Sequence, residues 1–334
     1  MTQPATTQDS LTVAVTGAAG YIGSRVVKRL QAVHPEWGII ALDNFYRGSV
    51  RTIEDVDVQH VDIRQRERLE STLDGADIVM HLAAISGVDD CATNQDLAYE
   101  VNVQGTQNVA WFCRKTGAGL IFPFSMAVLG DPETFPITAD QPRDPMNWYG
   151  QTKLLGEHSV EDMAEGAFPA HLYLKSNLYG EHEIEGNTIS KGTVINFFVN
   201  RVFTDQPLTV YEPGTQSRNY VHVKDVARAY VRSAEVMQEQ LADGETGVWR
   251  YEIASDEDPS VQTVAERVQT IAADVADIET AVELVENPRG NETLVRSFTV
   301  NTTAAQTDLG WEVSHSVDEA VRSLIRKKAN GATR

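Results

Sequence analysis

A glycine-rich turn near the amino end constrains this 334-residue chain more than any other feature. Residues 11–16, LTVAVT, have the apolar, β-branched composition of a strand, and residues 24–33 have helical spacing. Between them lie Gly17, Gly20 and Gly23. In a strand–turn–helix unit, glycines at this spacing permit a tight turn, close approach of a pyrophosphate and close helix–strand packing. Because the start of a helix also presents free N–H groups to phosphate, the pattern predicts a dinucleotide site.

An acidic residue at the end of the next apolar run indicates which dinucleotide is bound. Residues 38–42 form that run, and Asp43 follows twenty residues after Gly23. A carboxylate there accepts hydrogen bonds from the adenosine ribose hydroxyls and repels a 2′-phosphate. The pattern therefore favours NAD over NADP, with Arg47 close enough to keep the alternative open.

Strands and helices continue to alternate after Asp43. Spacing predicts strands at 56–61, 78–82, 120–124 and 170–174, and helices at 65–73, 96–115 and 148–164. Strands that alternate with helices form parallel sheets covered on both faces. We therefore predict an α/β fold with a Rossmann-type doubly wound parallel sheet.

The pattern loosens from about residue 176. The later elements are predicted as helices at 193–202, 260–275 and 316–327, and as strands at 208–211 and 248–253. We expect an NAD-binding domain at 11–175 and a smaller α/β region at 176–328, interleaved with the first, that mainly binds substrate. Residues 1–10 and 329–334 are expected to be flexible tails.

The charge balance excludes several classes of function. Asp and Glu number 48 against 28 Lys and Arg, a formal charge of −20, and only eight of the basic residues are lysine. Acid excess with scarce lysine is typical of proteins from a salt-rich cytoplasm. We expect no nucleic-acid partner, because the one basic run, 326–328, falls in a region expected to fray. Neither a membrane span nor a signal peptide is evident, so we expect a cytoplasmic protein.

Metal chemistry is not expected either. Cys91 and Cys113 lack the spacing of a disulfide framework or a metal site, and His81, His182 and His222 are scattered along the chain.

A tyrosine and a lysine lie one helical turn apart, at Tyr149 and Lys153. A free tyrosine, with a pKa of about 10, is a poor base at neutral pH. A cation one turn away, together with the positive nicotinamide ring, would stabilise the phenolate and lower that pKa. Ser125, at the end of the preceding strand, could hydrogen-bond the same substrate oxygen. The three residues form a candidate catalytic group.

Several motifs together resemble the extended short-chain dehydrogenase/reductases. They are residues 17–23, Asp43, His81-Leu-Ala-Ala84, Asn102 in NVQGT, Ser125 in SMAVLG, and the Tyr149 and Lys153 pair. The likeness runs from residue 12 to about 325 and is greatest to NAD-dependent nucleotide-sugar epimerases and dehydratases of the UDP-glucose 4-epimerase type. It implies NAD as cofactor, a nucleotide-diphosphate sugar such as a UDP-sugar as substrate, and a homodimer.

The resemblance also implies roles for individual residues. Those implied at the cofactor are Gly17, Gly20, Tyr21, Ile22, Gly23, Asp43, Asn44, Asp62, Ile63, Leu82, Ala83, Ala84, Asn102, Tyr149 and Lys153. Those implied at the substrate are Ser125, Tyr149, Asn177, Thr193, Val194, Tyr211, Arg218 and Arg289. Tyr149 would be the general base and acid, Ser125 would orient the sugar hydroxyl, and Asp225 would be structural, capping the helix that follows.

Departures from the family pattern narrow the reaction. Related 4,6-dehydratases carry Asp-Glu after the catalytic Ser or Thr, and related decarboxylases keep the glutamate, whereas this chain has Met126 and Ala127. Neither can transfer a proton, so epimerisation at C4 through a transient 4-keto sugar is favoured. A dehydrogenase or reductase that releases NADH, and a non-catalytic dinucleotide-binding protein, remain as alternatives. Leu129, Lys175 and Asn219 also depart from the family pattern, which indicates an unusual subgroup.

The implied homodimer would pair through the predicted helices 96–115 and 148–164. Val101, Val109 and Phe112 give the first helix an apolar face that suits such an interface. The same face could equally belong to the core.

Overall fold

A twisted, mainly parallel sheet organises the chain, whose computed structural model describes residues 10–288 and 293–332. The strands, numbered in chain order, are β1 (Thr12–Thr16), β2 (Gly38–Asp43), β3 (Thr52–Ile53), β4 (Val56–His60), β5 (Ile78–His81), β6 (Gly119–Ser125), β7 (Pro169–Lys175), β8 (Asn177–Tyr179), β9 (His182–Ile184), β10 (Asn187–Ile189), β11 (Leu208–Tyr211), β12 (Tyr220–His222), β13 (Gly247–Ile253) and β14 (Val282–Val285).

The main sheet has the order β13-β7-β6-β5-β1-β2-β4-β3 among the described residues, and each of its pairs is parallel except β3 with β4. From β1 the chain first builds outward through β2 and β4, then returns to β1's other side with β5. The strand order thus reverses between β1 and β5. Ligands of open parallel sheets bind at the carboxyl ends of the strands beside such a reversal. The predicted doubly wound sheet is confirmed.

Helices cover both faces of this sheet. They are α1 (Gly23–Val33), α2 (Arg66–Leu73), α3 (Val88–Thr93), α4 (Gln95–Tyr99), α5 (Thr106–Thr116), α6 (Trp148–Ala164), α7 (Val194–Val202), α8 (Val223–Asp243), α9 (Val261–Ala276), α10 (Thr303–Leu309) and α11 (Val317–Ala332). α1 packs with α8 on one face, and α5 packs with α6 on the other. Val101, Val109 and Phe112 are buried in the second of these layers. These residues could have belonged to a dimer interface or to the core, and the structure places them in the core. Residues 10–288 and 293–332 contain no helix whose length and apolar character would let it cross a membrane.

The single helix predicted at 96–115 is wrong in detail. It consists of α4, a π-helical stretch at Glu100–Gly105, and α5, and it is preceded by α3, which the sequence did not predict. Within the π-helical stretch, Gly105 packs so closely on Ile63 that an added Cβ would lie 2.5 Å from the Ile63 side chain. The wider turn also holds the Asn102 amide against the backbone of Ile85. Contacts with other elements therefore override the local helical pattern.

The second half contributes β13 to the main sheet and builds its own apolar cluster from β11, α7, α9 and α11. α11 continues to Ala332, so the segment from residue 329, expected to be a flexible tail, is helical up to that residue. The basic run 326–328 also lies inside α11 rather than in a frayed end. Lys327 and Lys328 form ion pairs of 2.6 and 3.2 Å with Glu183 and Glu181.

A buried carboxylate fastens the segment before α11 to α8. Asp225 accepts hydrogen bonds from the backbone N–H groups of Ser314 and His315, both at 3.1 Å, and from the Ser314 hydroxyl at 2.8 Å. The His315 ring and Arg228 lie 2.9 Å from the same carboxylate. Burial by itself would raise the pKa of Asp225, but these hydrogen bonds outweigh it and hold the pKa well below its usual range. The residue is structural, as expected, but it anchors residues 314–315, and His222 caps the helix instead.

We expect Asp225→Asn to lower the free energy of unfolding by about 3 kcal/mol at pH 7, because the buried donors lose a charged partner. The folded pKa is depressed, so this stability is present above the unfolded pKa of about 3.9 and fades as pH falls below it. Urea unfolding at pH 7 and at pH 3.5 measures both effects. Asp243→Asn, an exposed change on the same helix, is the control and should stay within about 0.5 kcal/mol of the wild type. An equal loss in both variants, or a loss independent of pH, would contradict this role.

Candidate active site

A cleft of about 930 Å³ opens at the carboxyl edge of the sheet, where the strand order reverses. Its walls are the glycine turn, the ends of β5, β6 and β7, the start of α6, and the segment 188–193. A smaller pocket of about 130 Å³ adjoins it beside Asp43. The volume suits a ligand larger than a single sugar.

The glycine turn fits a pyrophosphate. Gly17 has φ +70°, and an added Cβ would lie 2.7 Å from the backbone nitrogen of Ala83. A Cβ on Gly23 would lie 2.2 Å from the Gly17 carbonyl oxygen. A Cβ on Gly20 would meet only the Gly17 oxygen, at 3.1 Å, so the rest of the space beside Gly20 belongs to the cleft. Backbone N–H groups and the start of α1 are thereby open to an anion.

A buried hydrogen-bond chain holds the end of β5 against this turn. The Thr16 hydroxyl oxygen accepts from the N–H groups of Leu82 and Ala83, both at 3.1 Å. His81 bridges the hydroxyls of Thr16 and Thr106 at 2.8 and 3.0 Å, and burial lowers its pKa to about 3. The imidazole is therefore neutral, and it positions the cofactor wall rather than transferring protons.

The pocket beside Asp43 fits the adenosine ribose of NAD. The Asp43 carboxylate accepts from the N–H groups of Phe45 at 2.7 Å and Ala19 at 3.1 Å, while burial raises its pKa. Arg47, which kept NADP open, lines this pocket too and pairs with Asp90 at 2.7 Å. The predicted residues Asn44, Ile63, Leu82, Ala83 and Ala84 line the same pocket.

Two residues implied at the cofactor line neither the cleft nor the smaller pocket. Asp62 pairs with Arg64 at 2.7 Å. Asn102 is 1% exposed, and its amide bonds the N–H and carbonyl of Ile85, each at 2.9 Å, and the Thr152 hydroxyl at 3.0 Å. The structure thus places Asn102 behind the wall, where it supports the loop after β5.

Ser125, Tyr149 and Lys153 converge on the cleft. Asn147 caps α6 by accepting from the Gly150 N–H at 3.0 Å, so the tyrosine and lysine project from the first turns of the helix. Lys153 Nζ donates to the Pro123 carbonyl at 3.2 Å and lies 5.0 Å from the centre of the Phe122 ring. The predicted lysine and tyrosine therefore share one site with the end of β6.

The expected lowering of the tyrosine pKa is not produced by the protein alone. Burial raises the pKa of Tyr149 to about 12, and the hydrogen-bond interaction with Ser125 opposes it only in part. Burial also lowers the pKa of Lys153 to about 8. The lysine points its ammonium at a carbonyl, so the phenolate needs a further positive charge in the cleft.

Of the residues implied at the substrate, Asn177, Thr193 and Arg218 line the cleft beside Ser125 and Tyr149. The Arg218 guanidinium donates to the carbonyls of Ser217 at 2.8 Å and Thr293 at 2.7 Å. Val194 instead packs on the apolar cluster formed by β11, α7, α9 and α11. Tyr211 ends β11 and lies outside the lining of the cleft. Arg289 lies outside the described residues.

Sequence reasoning missed the rim of the cleft. Ser86 follows β5, and Lys191 from the segment 188–193 donates to its hydroxyl at 2.5 Å. Thr293 and Met146 also line the cleft. No motif marks these positions, because they meet only in the folded chain. Within residues 10–288 and 293–332, no cluster of His, Cys, Asp and Glu is arranged to hold a metal ion.

We expect Gly20→Ala to weaken NAD binding by about tenfold or more while the melting temperature stays close to that of the wild type. The added methyl group has little protein to displace but enters the space left for the pyrophosphate. Titration calorimetry with NAD, beside a thermal melt, separates the two effects. Gly331→Ala on α11, outside the lining of the cleft and with open space around its Cβ position, is the control. Unchanged NAD affinity in the Gly20 variant would refute the proposed pyrophosphate contact.

Comparison with known proteins agrees with this geometry. The model of the NAD dependent epimerase/dehydratase family matches residues 13–246. A putative UDP-glucose 4-epimerase of Methanocaldococcus jannaschii is 30% identical over 222 residues, which cover 65% of this chain and 71% of that protein. The UDP-glucose 4-epimerase of Halalkalibacterium halodurans is 28% identical over 320 residues, 90% of each chain. Among solved structures, the UDP-glucose 4-epimerase of Thermus thermophilus in complex with NAD superposes with a TM-score of 0.78 at 25% identity, covering 96% of this chain and 100% of that one.

Proposed function

The chain belongs to the NAD dependent epimerase/dehydratase family, and we propose that it is an NAD-dependent 4-epimerase of a nucleotide-diphosphate sugar. One observation carries the proposal: Ser125, Tyr149 and Lys153 share a single cleft with the glycine turn. The two positions after Ser125 hold Met126 and Ala127, so they supply no acid or base for removal of water. The residues present support epimerisation, which needs one acid–base group and a hydride carrier.

The cofactor half of the cleft supports the residues proposed for NAD. NAD, when bound, supplies a two-electron acceptor for the C4 hydride and can return that hydride. The glycine turn would hold the pyrophosphate, Asp43 the adenosine ribose and Lys153 the nicotinamide ribose. Asp62 and Asn102 would act by supporting neighbouring residues.

Tyr149 would take the proton of the C4 hydroxyl and later return it to the C4 oxygen of the inverted sugar. Ser125 would orient the same oxygen through its hydroxyl. Because burial keeps the lone phenol protonated, Tyr149 becomes a base only when positive charge accumulates beside it in the cleft. Proton transfer is thus restricted to the loaded enzyme.

The substrate half would hold the nucleotide diphosphate and let the sugar turn. Asn177, Thr193 and Arg218 are proposed there, with Val194, Tyr211 and Arg289 as further candidates at its outer end. A guanidinium suits phosphate oxygens, and a chain of charge −20 needs local positive charge to attract an anion. In this scheme residues 11–175 mainly bind NAD and residues 176–328 mainly bind the nucleotide sugar, which would be a UDP-sugar.

We expect Tyr149→Phe to reduce turnover by about 10²–10⁴-fold, because the only proton-transfer group at C4 is lost. Proton NMR of the anomeric signals, in molar salt with NAD, would follow UDP-galactose, UDP-glucose, UDP-glucuronate and UDP-N-acetylglucosamine. Tyr99→Phe, a change at a 40% exposed tyrosine, is the matched control. Near-normal turnover in the Tyr149 variant would refute the mechanism. A steady rise in absorbance at 340 nm in the wild type would indicate a dehydrogenase that releases NADH.

We also propose that the protein is a homodimer in a salt-rich cytoplasm. Tyr99, Trp111 and Leu155 are large apolar side chains, 38–41% exposed, on or beside the layer formed by α5 and α6. A second copy of the same layer would cover them in a symmetric four-helix interface. The acid excess and the scarcity of lysine support the salt-rich setting.

We expect Leu155→Glu to convert the dimer to a monomer, because two copies of the new charge would face each other across the symmetry axis. Light scattering after size exclusion, in molar salt, measures the mass. Leu284→Glu changes a leucine that is 49% exposed on β14 and should leave the mass unchanged. A monomeric wild type, or a dimeric Leu155 variant, would argue against this interface.

A further inference from the structure

A lysine stands beside the candidate catalytic serine, in the adjacent strand. Lys175 ends β7, and its register partner in β6 is Ser125. Register partners of neighbouring strands lie about 5 Å apart, and their side chains project to the same face. Tyr173, two residues before Lys175, and Ile121, four residues before Ser125, both pack on the apolar layer below that face. Lys175 therefore enters the cleft at its reacting end.

This ammonium has no acidic partner in residues 10–288 and 293–332. Its one hydrogen-bond contact there is the carbonyl of Ser176, at 3.5 Å. Burial, followed by repulsion from Lys191 and Lys153, lowers the pKa of Lys175 to about 7. Three of the chain's eight lysines thus line one cleft. A cation in this position gains most from a ligand that brings its own negative charge.

We propose that Lys175 binds a carboxylate on the sugar ring, so that the substrate is a nucleotide-diphosphate uronic acid. This inference rests on the proposed 4-epimerase function. With the C4 oxygen at Ser125 and Tyr149, the adjacent C5 carries the next substituent, and Lys175 stands beside Ser125 in the neighbouring strand. A carboxylate at C5 is therefore the anion proposed for this ammonium, and Lys175 is a residue that determines specificity.

Titration calorimetry of the NAD-loaded protein with UDP-glucuronate, UDP-glucose and UDP tests the assignment in molar salt. We expect the wild type to bind UDP-glucuronate about 10- to 100-fold more tightly than UDP-glucose, the range for a charge-assisted contact. Lys175→Met should collapse that ratio to about one, and Lys175→Arg should retain most of it. Lys115→Met, an exposed lysine that pairs with Glu70, is the matched control and should leave the ratio unchanged.

Three results would overturn the subsite: equal wild-type affinity for the two sugars, a Lys175→Met variant that keeps the ratio, or an equal loss for UDP itself, which would place the lysine at the diphosphate. Epimerisation measured by NMR stands apart from this binding ratio. Conversion of UDP-glucose without a preference for the uronate would support the epimerase function and contradict the carboxylate subsite. A preference for the uronate without conversion would support the subsite and contradict the epimerase function.

Discussion

The contact between Gly17 and the backbone after β5 is the constraint on which the cleft depends. A Cβ at this position would lie 2.7–2.9 Å from atoms of Leu82 and Ala83, so the turn and the next strand end can only meet without a side chain. That approach brings the start of α1 to the reversal in strand order, where backbone N–H groups face open space. The Thr16 hydroxyl then holds the same two residues through their N–H groups. Backbone geometry, rather than charge, thus creates the space proposed for the cofactor.

Hydrogen bonds connect the same turn to the second half of the chain, residues 176–328. The Tyr21 hydroxyl donates to the Gly180 carbonyl at 2.6 Å, and His182 Nε2 lies 2.8 Å from the Tyr21 carbonyl. Asn196 bonds both the N–H and the carbonyl of Gly180 at 2.9 Å. A residue of the glycine turn thereby fixes the segment that leads into residues 188–193 of the cleft wall. The two halves of the cleft are coupled by hydrogen bonds between residues about 160 positions apart.

Charge in the cleft has the opposite sign to charge on the whole chain. Lys153, Lys175, Lys191 and Arg218 line it, whereas acids exceed bases by twenty overall. Burial lowers the pKa of each of these lysines, because the ammonium loses hydration without gaining an adequate counter-charge. An anionic ligand would supply the missing counter-charge to these ammonium groups. The cleft can therefore attract an anion although the chain as a whole is strongly acidic.

Local sequence patterns determined the strands of the main sheet apart from β3, the glycine turn, the acidic residue at the end of β2 and the spacing of Tyr149 and Lys153. Each of these depends on residues a few positions apart, whose periodicity and conformational needs can be read along the chain. Tertiary structure alone decided that residues 100–105 form a π-helical stretch, that Asn102 supports the wall from behind, and that Val101, Val109 and Phe112 belong to the core. It also decided that burial raises the pKa of Tyr149, and that Lys175 lies beside Ser125 with no acidic partner among residues 10–288 and 293–332. These outcomes depend on the surroundings of each side chain, which are assembled from segments distant in the sequence. Burial and neighbouring charges are set by those surroundings, so they cannot be read from the order of residues.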